Sequence, residues 1–359
     1  GLLKTVPDDM HPGSEIANMA VLGYDVSSVF EGRGVLEAAS MGVKLGENDL
    51  ALRCNLICLE NDTIKNHSAG HISNNESYEL IDFLNKKLGN DAIRFYPGVS
   101  YRHLLVIKNG KKQLNCVPPH DVPGQPFRRN MITPENIEAE ATAKLLNYLI
   151  LRSQALLADH PVNLKRKETG KDAANSIWPW SPGYKPQMPT LKELFGIEKS
   201  AVISAVDLIQ GIGVYAGMDV IKVDGATGLY DTNYEGKAEA TISALKDHDL
   251  VYLHVEASDE AGHEGDVELK TRTITYLDSR IVNYLVEETG KMTEPVTIAV
   301  LPDHPTPCAT RIHTRDAVPF LIYKPGQTPD AAQFYDEFEV KKGSYGLLSG
   351  DQFMKALLA

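Results

Sequence analysis

Apolar runs alternate with amphipathic stretches through the second half of the chain. Residues 251–255 and 296–301 have the length and composition of buried strands, and apolar positions at helical spacing predict a helix over 267–286. Further strands are predicted at 219–223 and 318–323 and a helix at 234–245, whereas 201–209 fits either a strand or a helix. Strands that alternate with helices in this way are typical of a largely parallel sheet flanked by helices, and hence of an α/β fold.

Residues 49–184 have a different hydrophobic pattern, which predicts a separate set of strands and helices. Strands are predicted at 50–59 and 103–108, helices at 74–87 and from Thr133-Pro134 to Leu157, and a polar loop at 165–172. The long helix is predicted to bury Ile137, Ala141, Leu145, Leu149 and Leu156. Because this block could bury its own core, we expect residues 1–48 and 185–359 to form a core domain. Residues 49–184 would then be an inserted α+β domain.

Composition narrows the classes of protein that fit. The 359 residues, 43% hydrophobic and 23% charged, are those of an ordinary globular protein of about two domains. The net charge of −12 argues against nucleic acid or an anionic membrane as the main partner. Four cysteines without C-x-x-C spacing favour a reducing, cytoplasmic location. No run of transmembrane length and no signal peptide is visible, and no oligomeric state is specified.

The ends of the two predicted strands carry metal-ligating residue types. Asp259 and His263 follow the first strand, Asp303 and His304 follow the second, and His313 comes nine residues later. Carboxylates and imidazoles at the carboxyl ends of strands in an α/β sheet are typical of a metal site. Five ligands exceed what one ion needs when positions stay open for substrate, so we predict two divalent ions. The nearby Asp266 is predicted to be only a helix cap.

Ser14 lies where a helix should begin, after Pro12-Gly13 and before apolar Ile16. On this stretch alone, a capping serine is the simpler interpretation. A serine at the positive end of a helix dipole can also act as a nucleophile toward a phosphoryl group, particularly with a metal nearby. The predicted metal ligands downstream favour the nucleophile.

Several polar side chains of the predicted insert stand beside turns or strand ends, where each is more often structural than functional. Arg102 is a candidate for forked binding of a carboxylate or phosphate. The other candidates are His71, His120, Asp121 and Asn175.

Strings along nearly the whole chain resemble the archaeal-type, cofactor-independent phosphoglycerate mutases of the alkaline phosphatase superfamily. The matching strings are Pro12-Gly13-Ser14-Glu15, Arg53-Cys54-Asn55, Ser68-Ala69-Gly70-His71, Asn175-Ser176-Ile177-Trp178, Asp231-Thr232-Asn233-Tyr234, Asp259-Glu260-Ala261-Gly262-His263, Leu301-Pro302-Asp303-His304 and His313-Thr314. The resemblance implies an alkaline-phosphatase-like core and a lid-like, substrate-binding insert. It also implies that the enzyme interconverts 3- and 2-phosphoglycerate in glycolysis and gluconeogenesis.

The resemblance also implies roles for individual residues. Asp259, His263 and His313 would hold one ion, while Asp303, His304 and Ser14 would serve the other. Manganese is favoured because mixed carboxylate–imidazole sites accept it, with zinc and magnesium as alternatives. No 2,3-bisphosphoglycerate is required in such enzymes.

The implied reaction is a phosphoryl shuttle through Ser14. Ser14 takes the phosphoryl group, and glycerate reorients and takes it back on its other hydroxyl. Closure of the insert would exclude water. His71, Arg102, His120, Asp121 and Asn175 would contact the substrate, with His120 or Asp121 moving protons between glycerate hydroxyls.

One feature of the family pattern has no counterpart before Ser14. Such enzymes begin with a strand that ends in Asp-Gly, whose aspartate ligates the second ion. The resemblance therefore predicts a preceding segment of about 40 residues, the length of one βα unit, and an incomplete second metal site in the sequence as printed.

Three other functions compete with the mutase interpretation. The nearest is a metal-dependent phosphatase or phosphodiesterase of the same superfamily, which would release phosphate instead of isomerising the substrate. A kinase is disfavoured because neither G-x-x-x-x-G-K-[ST] nor the protein-kinase signatures occur. A non-catalytic metal-binding protein would require that the truncation be biological.

Overall fold

Strands and helices alternate in a computed structural model that describes residues 1–359, and they form two units. Unit 1 comprises Gly1–Phe30 and Gln187–Ala359, and unit 2 comprises Glu31–Pro186. Residues 31–48, assigned to the core domain from the sequence, thus lie in unit 2. Their helix packs on strands of that unit so closely that a Cβ on Gly34 would lie 2.8 Å from the backbone nitrogen of Arg53.

The first part of unit 1 contains β1 (Leu2–Lys4), α1 (Ser14–Val21) and α2 (Val26–Val29). Unit 2 follows with α3 (Arg33–Ser40), β2 (Asp49–Glu60), β3 (Thr63–Asn66), α4 (Asn74–Leu88), β4 (Ile93–Val99), β5 (Arg102–Lys108), β6 (Leu114–Asn115), β7 (Thr133–Pro134), α5 (Glu140–Leu157), α6 (Pro161–Glu168) and β8 (Ser176–Gly183). The second part of unit 1 begins with α7 (Leu191–Phe195), β9 (Ser200–Ile203), α8 (Asp207–Tyr215), β10 (Asp219–Ile221), α9 (Tyr234–Ala244), β11 (Leu250–Leu253), α10 (Ala257–Glu264) and α11 (Val267–Tyr276). It ends with α12 (Asn283–Thr289), β12 (Ile298–Val300), β13 (Val318–Pro319), β14 (Leu321–Tyr323), β15 (Leu347–Ser349) and α13 (Gln352–Leu358).

The helix predicted over 267–286 is continuous in the structure except for its central turn, Leu277–Val282, which is a π-helix between α11 and α12. None of the helices is both long enough and apolar enough to cross a membrane.

Unit 2 is built on an antiparallel sheet of order β3-β2-β5-β4. Strand β8 also pairs with β2, along the edge opposite β5. Alternate residues of β2, including Leu52 and Leu56, lie in an apolar core to which α4 and α5 also contribute. Long apolar runs therefore predicted β2 and β5 correctly, whereas β3, β4 and β8 were not predicted. Ser73 and Glu76 form a capping box at the start of α4, which explains why that helix begins where the pattern placed it.

Three predictions in unit 2 are wrong in detail. Thr133–Pro134 is a short strand rather than a helix start, and α5 begins at Glu140. The predicted buried positions, mostly spaced by four, drift around a helix of 3.6 residues per turn, so Leu149 is buried but Ile137 is 81% exposed. The buried face of α5 comprises Thr142, Ala143, Leu146, Leu149, Ile150, Ser153 and Leu157. The predicted loop at 165–172 is partly helix α6, which has proline at its start and a His160 cap.

Unit 1 contains three small sheets, so the single, mostly parallel sheet expected from the sequence is not confirmed. The sheet β10-β9-β11 is wholly parallel, β12 pairs antiparallel with β14, and β1 lies between antiparallel β13 and parallel β15. The ambiguous stretch 201–209 is the end of β9 followed by the start of α8. Strands β11 and β12, which precede the predicted metal ligands, belong to different sheets.

Candidate active site

Asp259, His263 and His313 of unit 1 come together as a group that could hold a metal ion. One ligand atom from each lies within 4.8 Å of the others. Asp259 and His263 are one helical turn apart on α10, and the Asp259 carboxylate oxygens lie 3.3 Å from His263 Nε2 and 3.4 Å from His313 Nε2. Spacing of i, i+4 on a helix therefore brings two of the predicted ligands to one face.

The chemistry of the two histidines fits a cation. Each ring uses Nδ1 on a backbone carbonyl, His263 on Arg311 at 2.9 Å and His313 on Pro12 at 3.3 Å. A ring that donates from Nδ1 turns an Nε2 lone pair toward the group, and the two Nε2 atoms are 2.9 Å apart. Two facing lone pairs need a proton or a cation between them, so the arrangement fits a metal.

Without a metal ion, a proton on His263 balances the negative charge of Asp259. The hydrogen bond to Asp259 raises the pKa of His263 to about 9. Burial alone would raise the pKa of Asp259, but hydrogen bonds from His263, His313 and Thr306 hold it well below its ordinary value. Asp259 is therefore an anion at neutral pH, as a metal ligand must be.

Ser14, Asp303 and His304 form a second group in unit 1. Ser14 Oγ lies 3.1 Å from His304 Nε2, and Asp303 Oδ2 lies 3.5 Å from the same nitrogen. Ser14 is the first residue of α1, Gly13 is the cap, and neither provides a capping side-chain hydrogen bond. The interpretation of Ser14 as a plain capping serine is thus excluded by the contacts its hydroxyl makes. By contrast Asp266 caps α11, as predicted, by accepting from the Leu269 amide at 2.9 Å.

The two groups adjoin each other. The rings of His304 and His313 have centroids 3.9 Å apart, and the Thr306 hydroxyl donates a short hydrogen bond to Asp259 while lying 3.4 Å from His304 Nδ1. Burial lowers the pKa of His304, which keeps its ring neutral near pH 7. All six residues predicted as metal ligands therefore surround one small region of unit 1.

A chain of buried hydrogen bonds fixes the Asp303 carboxylate, and the sequence did not reveal it. Asn18 donates to Asp303 Oδ2 and to the Ser14 carbonyl, both at 2.8 Å. Tyr252 donates to Asn18 Oδ1 at 2.5 Å, and burial and Asp303 raise the pKa of Tyr252 far above neutrality. Asn18 lies one turn after Ser14 on α1, so its helical spacing was the available signal.

A second buried polar set also escaped the sequence analysis. His254 Nδ1 lies 3.1 Å from Ser204 Oγ, and His254 Nε2 lies 3.2 Å from Glu256 Oε2. Lys237 donates a hydrogen bond to the His254 carbonyl at 3.3 Å. Burial, with Asp259 and other carboxylates nearby, raises the pKa of Glu256 to about 8. Burial lowers the pKa of His254 to about 4 and that of Lys237 to about 8. At pH 7 Glu256 is therefore mostly protonated and His254 neutral, whereas Lys237 stays mostly charged, beside the ligand groups.

Unit 2 contains a separate arginine–histidine cluster, defined here as Arg53, His67, Arg102, His120 and Trp180. Ring centroids of His120 lie 5.3 Å from Trp180 and 5.9 Å from His67, and the Arg53 guanidinium lies 5.2 Å from the Trp180 ring. Burial lowers the pKa values of His67 and His120. The cluster offers guanidinium and imidazole donors on one unit, as binding an anionic ligand requires.

The predicted substrate residues of unit 2 divide into two sets. Arg102 and His120 belong to the cluster, Asp121 is exposed 3.6 Å from His120, and the exposed His71 ring lies 6.2 Å from Tyr101. Asn175 lies apart: its amide accepts from the Leu59 N–H at 2.7 Å and donates to the Leu59 carbonyl at 2.8 Å. Hydrogen bonds to the backbone of β2 therefore use both the oxygen and the nitrogen of the Asn175 amide.

Arg53 and His67 had no predicted role, although Arg53 lies in a string singled out from the sequence. The available signal was Arg53-x-Asn55, because residues two apart on a strand share a face. His71 ends a turn in which Ala69, Gly70 and His71 all have positive φ, of 48°, 63° and 52°. Left-handed backbone at two non-glycine residues is costly, and here Arg166 supports the turn by donating to the Ala69 carbonyl at 2.7 Å.

Comparison with known proteins shows similarity over the whole chain. A family model described as 2,3-bisphosphoglycerate-independent phosphoglycerate mutase matches residues 1–163. A relative from Methanosarcina acetivorans with the same description is 51% identical over 360 aligned residues, covering 100% of this chain and 89% of the relative. A relative from Geobacter sulfurreducens, described as a probable enzyme of this kind, is 46% identical with the same coverages.

Two solved structures are similar as well. A protein from Pyrococcus horikoshii has a TM-score of 0.81 and 28% identity, covering 100% of this chain and 85% of that one. A structure described as a cofactor-independent phosphoglycerate mutase from Thermoplasma acidophilum has a TM-score of 0.66 and 25% identity, covering 100% of this chain and 87% of that one.

Proposed function

Because the chain belongs to the family of 2,3-bisphosphoglycerate-independent phosphoglycerate mutases, we propose that it interconverts 3-phosphoglycerate and 2-phosphoglycerate through a phosphoserine at Ser14. The observation that carries this assignment is the Ser14 hydroxyl, 3.1 Å from His304 and beside the Asp259–His263–His313 group. The reaction is a step of glycolysis and gluconeogenesis, and it makes the enzyme an isomerase.

We propose that Asp259, His263 and His313 hold one divalent ion and that Asp303, His304 and Ser14 contribute ligands to another. Mn²⁺ is the ion we favour, since carboxylate and imidazole donors are mixed in both groups. When bound, the ions would neutralise charge on the phosphoryl oxygens and favour the ionised Ser14 hydroxyl. Support comes from the facing Nε2 atoms of His263 and His313.

The protein groups around Ser14 account for the transfer itself. Ser14 Oγ attacks phosphorus and the bond from phosphorus to the glycerate oxygen breaks, which leaves phosphoserine and glycerate. The second glycerate hydroxyl then attacks phosphoserine and Ser14 Oγ leaves. The first turn of α1 places backbone N–H groups next to Ser14, and Asn18 holds Asp303 in a fixed orientation. In-line geometry and preorganised charge supply the acceleration.

We propose that unit 2 binds the glycerate part of the substrate through Arg102 and His120, with His71 and Asp121 nearby. The support is the concentration of guanidinium and imidazole groups there. His120 is our candidate for moving protons between the glycerate hydroxyls, because burial lowers its pKa and leaves the ring neutral and able to accept a proton. The parallel sheet β10-β9-β11, with ligands after β11, supports an alkaline-phosphatase-like core for unit 1.

The enzyme is expected to isomerise 3-phosphoglycerate with no 2,3-bisphosphoglycerate added, and to lose at least about 100-fold in rate on treatment with a chelator, because charge neutralisation is worth several kcal/mol. Phosphorus NMR of 2-phosphoglycerate formation measures this without a metal-dependent coupling enzyme. Adding Mn²⁺ back should restore the rate. A strict requirement for 2,3-bisphosphoglycerate, or indifference to the chelator, would refute the proposal.

Arg102→Ala is expected to change the products formed as well as the rate. Phosphorylation of Ser14 should persist, but glycerate should escape more often, so water would attack the phosphoserine. Free phosphate released per isomerisation should rise by about tenfold, the effect of losing roughly 1.4 kcal/mol of binding. Arg128→Ala, which removes an exposed guanidinium stacked on Phe127 in the same unit, is the matched control. An equal fall in both activities would show that Arg102 does not retain glycerate.

A further inference from the structure

Arg315 holds the backbone of unit 1 at Met10, four residues before Ser14. Its Nε and Nη2 both donate to the Met10 carbonyl oxygen, at 3.0 and 2.7 Å. A guanidinium that donates twice to one acceptor fixes the direction of that acceptor as well as its distance. Arg315 comes two residues after His313. One loop therefore carries both a proposed metal ligand and the side chain that holds the segment before the nucleophile.

Two further hydrogen bonds join the same two segments of the chain. Thr5, which is 1% exposed, donates from its hydroxyl to the Asp303 carbonyl at 2.5 Å. Nδ1 of the His313 ring lies 3.3 Å from the Pro12 carbonyl oxygen. The segment that leads to the nucleophile is thus attached to the ligand-bearing segment at its beginning, in its middle and at its end.

The N-terminus of α1 relies on these attachments because no side chain caps it. The cap residue is Gly13, which has no side chain to accept from the first turn. The N–H groups of Ile16 and Ala17 both donate to the Gly13 carbonyl at 3.0 Å. Since only Gly13 separates Ser14 from the attached Pro12, the position of Ser14 follows that of the loop before it.

We propose that Arg315 is a positioning residue for phosphoryl transfer, which holds the loop before Ser14 in a fixed place relative to the ligand group that contains His313. This inference rests on the proposed function, because it concerns transfer to Ser14. Both hydrogen bonds of the guanidinium go to backbone, so Arg315 acts through Met10 and is not itself a catalytic residue. In-line attack is sensitive to such placement, because an error of about 1 Å can cost about 100-fold in rate.

A contribution to stability alone would have different consequences. Arg315 is exposed, and substitution of exposed side chains usually changes the stability of a fold little. A residue that only stabilised the fold would alter the melting temperature and the fraction of folded enzyme. The rate of Ser14 phosphorylation per folded molecule would stay the same.

Arg315→Ala is expected to slow the phosphorylation of Ser14 by 3-phosphoglycerate by about tenfold, measured by rapid quenching and intact mass. The loss is smaller than for a full 1 Å error because the attachments at Thr5 and Pro12 remain. The KM for 3-phosphoglycerate and the Mn²⁺ content should change by less than about twofold. Arg315→Lys keeps a cationic donor but loses the planar fork, so it should recover part of the rate. Arg272→Ala, at an exposed arginine of α11, is the control and should change none of these quantities.

Amide hydrogen exchange provides a measurement that needs no turnover. If Arg315 holds the loop, its removal should let the first turn of α1 open more often. Peptide mass spectrometry should then show that the amides of Ile16 and Ala17, which donate to Gly13, exchange about tenfold faster in Arg315→Ala than in the wild type. The amides of α11 should exchange at the same rate in both proteins.

The outcomes separate this inference from the proposed function. An unchanged rate of Ser14 phosphorylation, or unchanged exchange at Ile16 and Ala17, overturns the inference and leaves the mutase assignment standing. A slower reaction accompanied by lost Mn²⁺ or a raised KM also overturns it, because the substitution would then have disturbed the whole site. Where Arg315→Ala does not fold, a wild-type rate in Arg315→Lys has the same meaning. A wild type without mutase activity refutes the proposed function, whereas faster exchange in Arg315→Ala would still support Arg315 as the residue that positions Ser14.

Discussion

Ser14→Ala is expected to abolish isomerisation while the protein keeps its bound metal. The Ser14 hydroxyl oxygen would accept the phosphoryl group, and alanine offers no nucleophile. The other ligand atoms, on Asp303 and His304, remain in place because Asn18 and a backbone amide hold Asp303. Metal content measured by mass spectrometry should therefore stay close to that of the wild type.

The loss in rate should be at least about 1,000-fold, equivalent to roughly 4 kcal/mol of barrier. Intact-mass measurement during turnover should show a species heavier by one phosphoryl group in the wild type and none in Ser14→Ala. Ser28→Ala, at an exposed serine whose hydroxyl donates only to the Asp25 carbonyl, is the control and should retain full activity. Activity of Ser14→Ala within about tenfold of wild type would mean a barrier change near 1.4 kcal/mol, too small for a lost nucleophile.

Features contained in one continuous stretch of chain were predictable from the sequence. The strand before Asp259 and the cap at Asp266 depend on neighbours within a few residues, although Asp259 and His263, expected on a loop, lie on a helix. Local apolar runs and helix signals decide such features. The match of strings across the chain then grouped His313 with Asp259 and His263, and the structure brings these three together.

Features that depend on strand register or helix phase were not predictable. Arg53 meets Trp180 because β2 and β8 pair in one register, and a shift of one residue would turn Arg53 into the core. The α5 face was missed because a four-residue step does not match a 3.6-residue turn. Asn175 was selected for its place near a strand end, but the Leu59 backbone occupies its amide, which a sequence cannot reveal.

The division of the unit 1 strands among three sheets was also outside the reach of the sequence pattern. Apolar runs predict that β11 and β12 are strands, but they do not predict which strand each one pairs with. The metal ligands nevertheless converge because side chains after the strands, rather than the strands themselves, make the contacts. Thr306 joins Asp259 to His304, and the His304 and His313 rings stack.

Asp259→Asn is expected to remove the first metal site and to lower mutase activity by at least about 1,000-fold. The carboxylate is the one anionic group that His263 and His313 share, at 3.3 and 3.4 Å. Asparagine has nearly the same shape, so packing is kept, but a neutral amide neither offsets the charge of a divalent ion nor balances the two imidazoles. Metal content should fall by about one ion per chain.

Thermal unfolding gives a measurement that does not depend on activity. A ligand at 100 times its dissociation constant stabilises the folded state by about 2.7 kcal/mol, so Mn²⁺ should raise the melting temperature of the wild type. Much of that increment should disappear in Asp259→Asn. Asp266→Asn is the matched control, because asparagine also caps helices and the Asp266 side chain accepts a hydrogen bond from the Leu269 amide, outside the ligand group. If Asp259→Asn keeps both the full Mn²⁺ increment and the wild-type metal content, Asp259 is not a ligand and the first site must be sought elsewhere in unit 1.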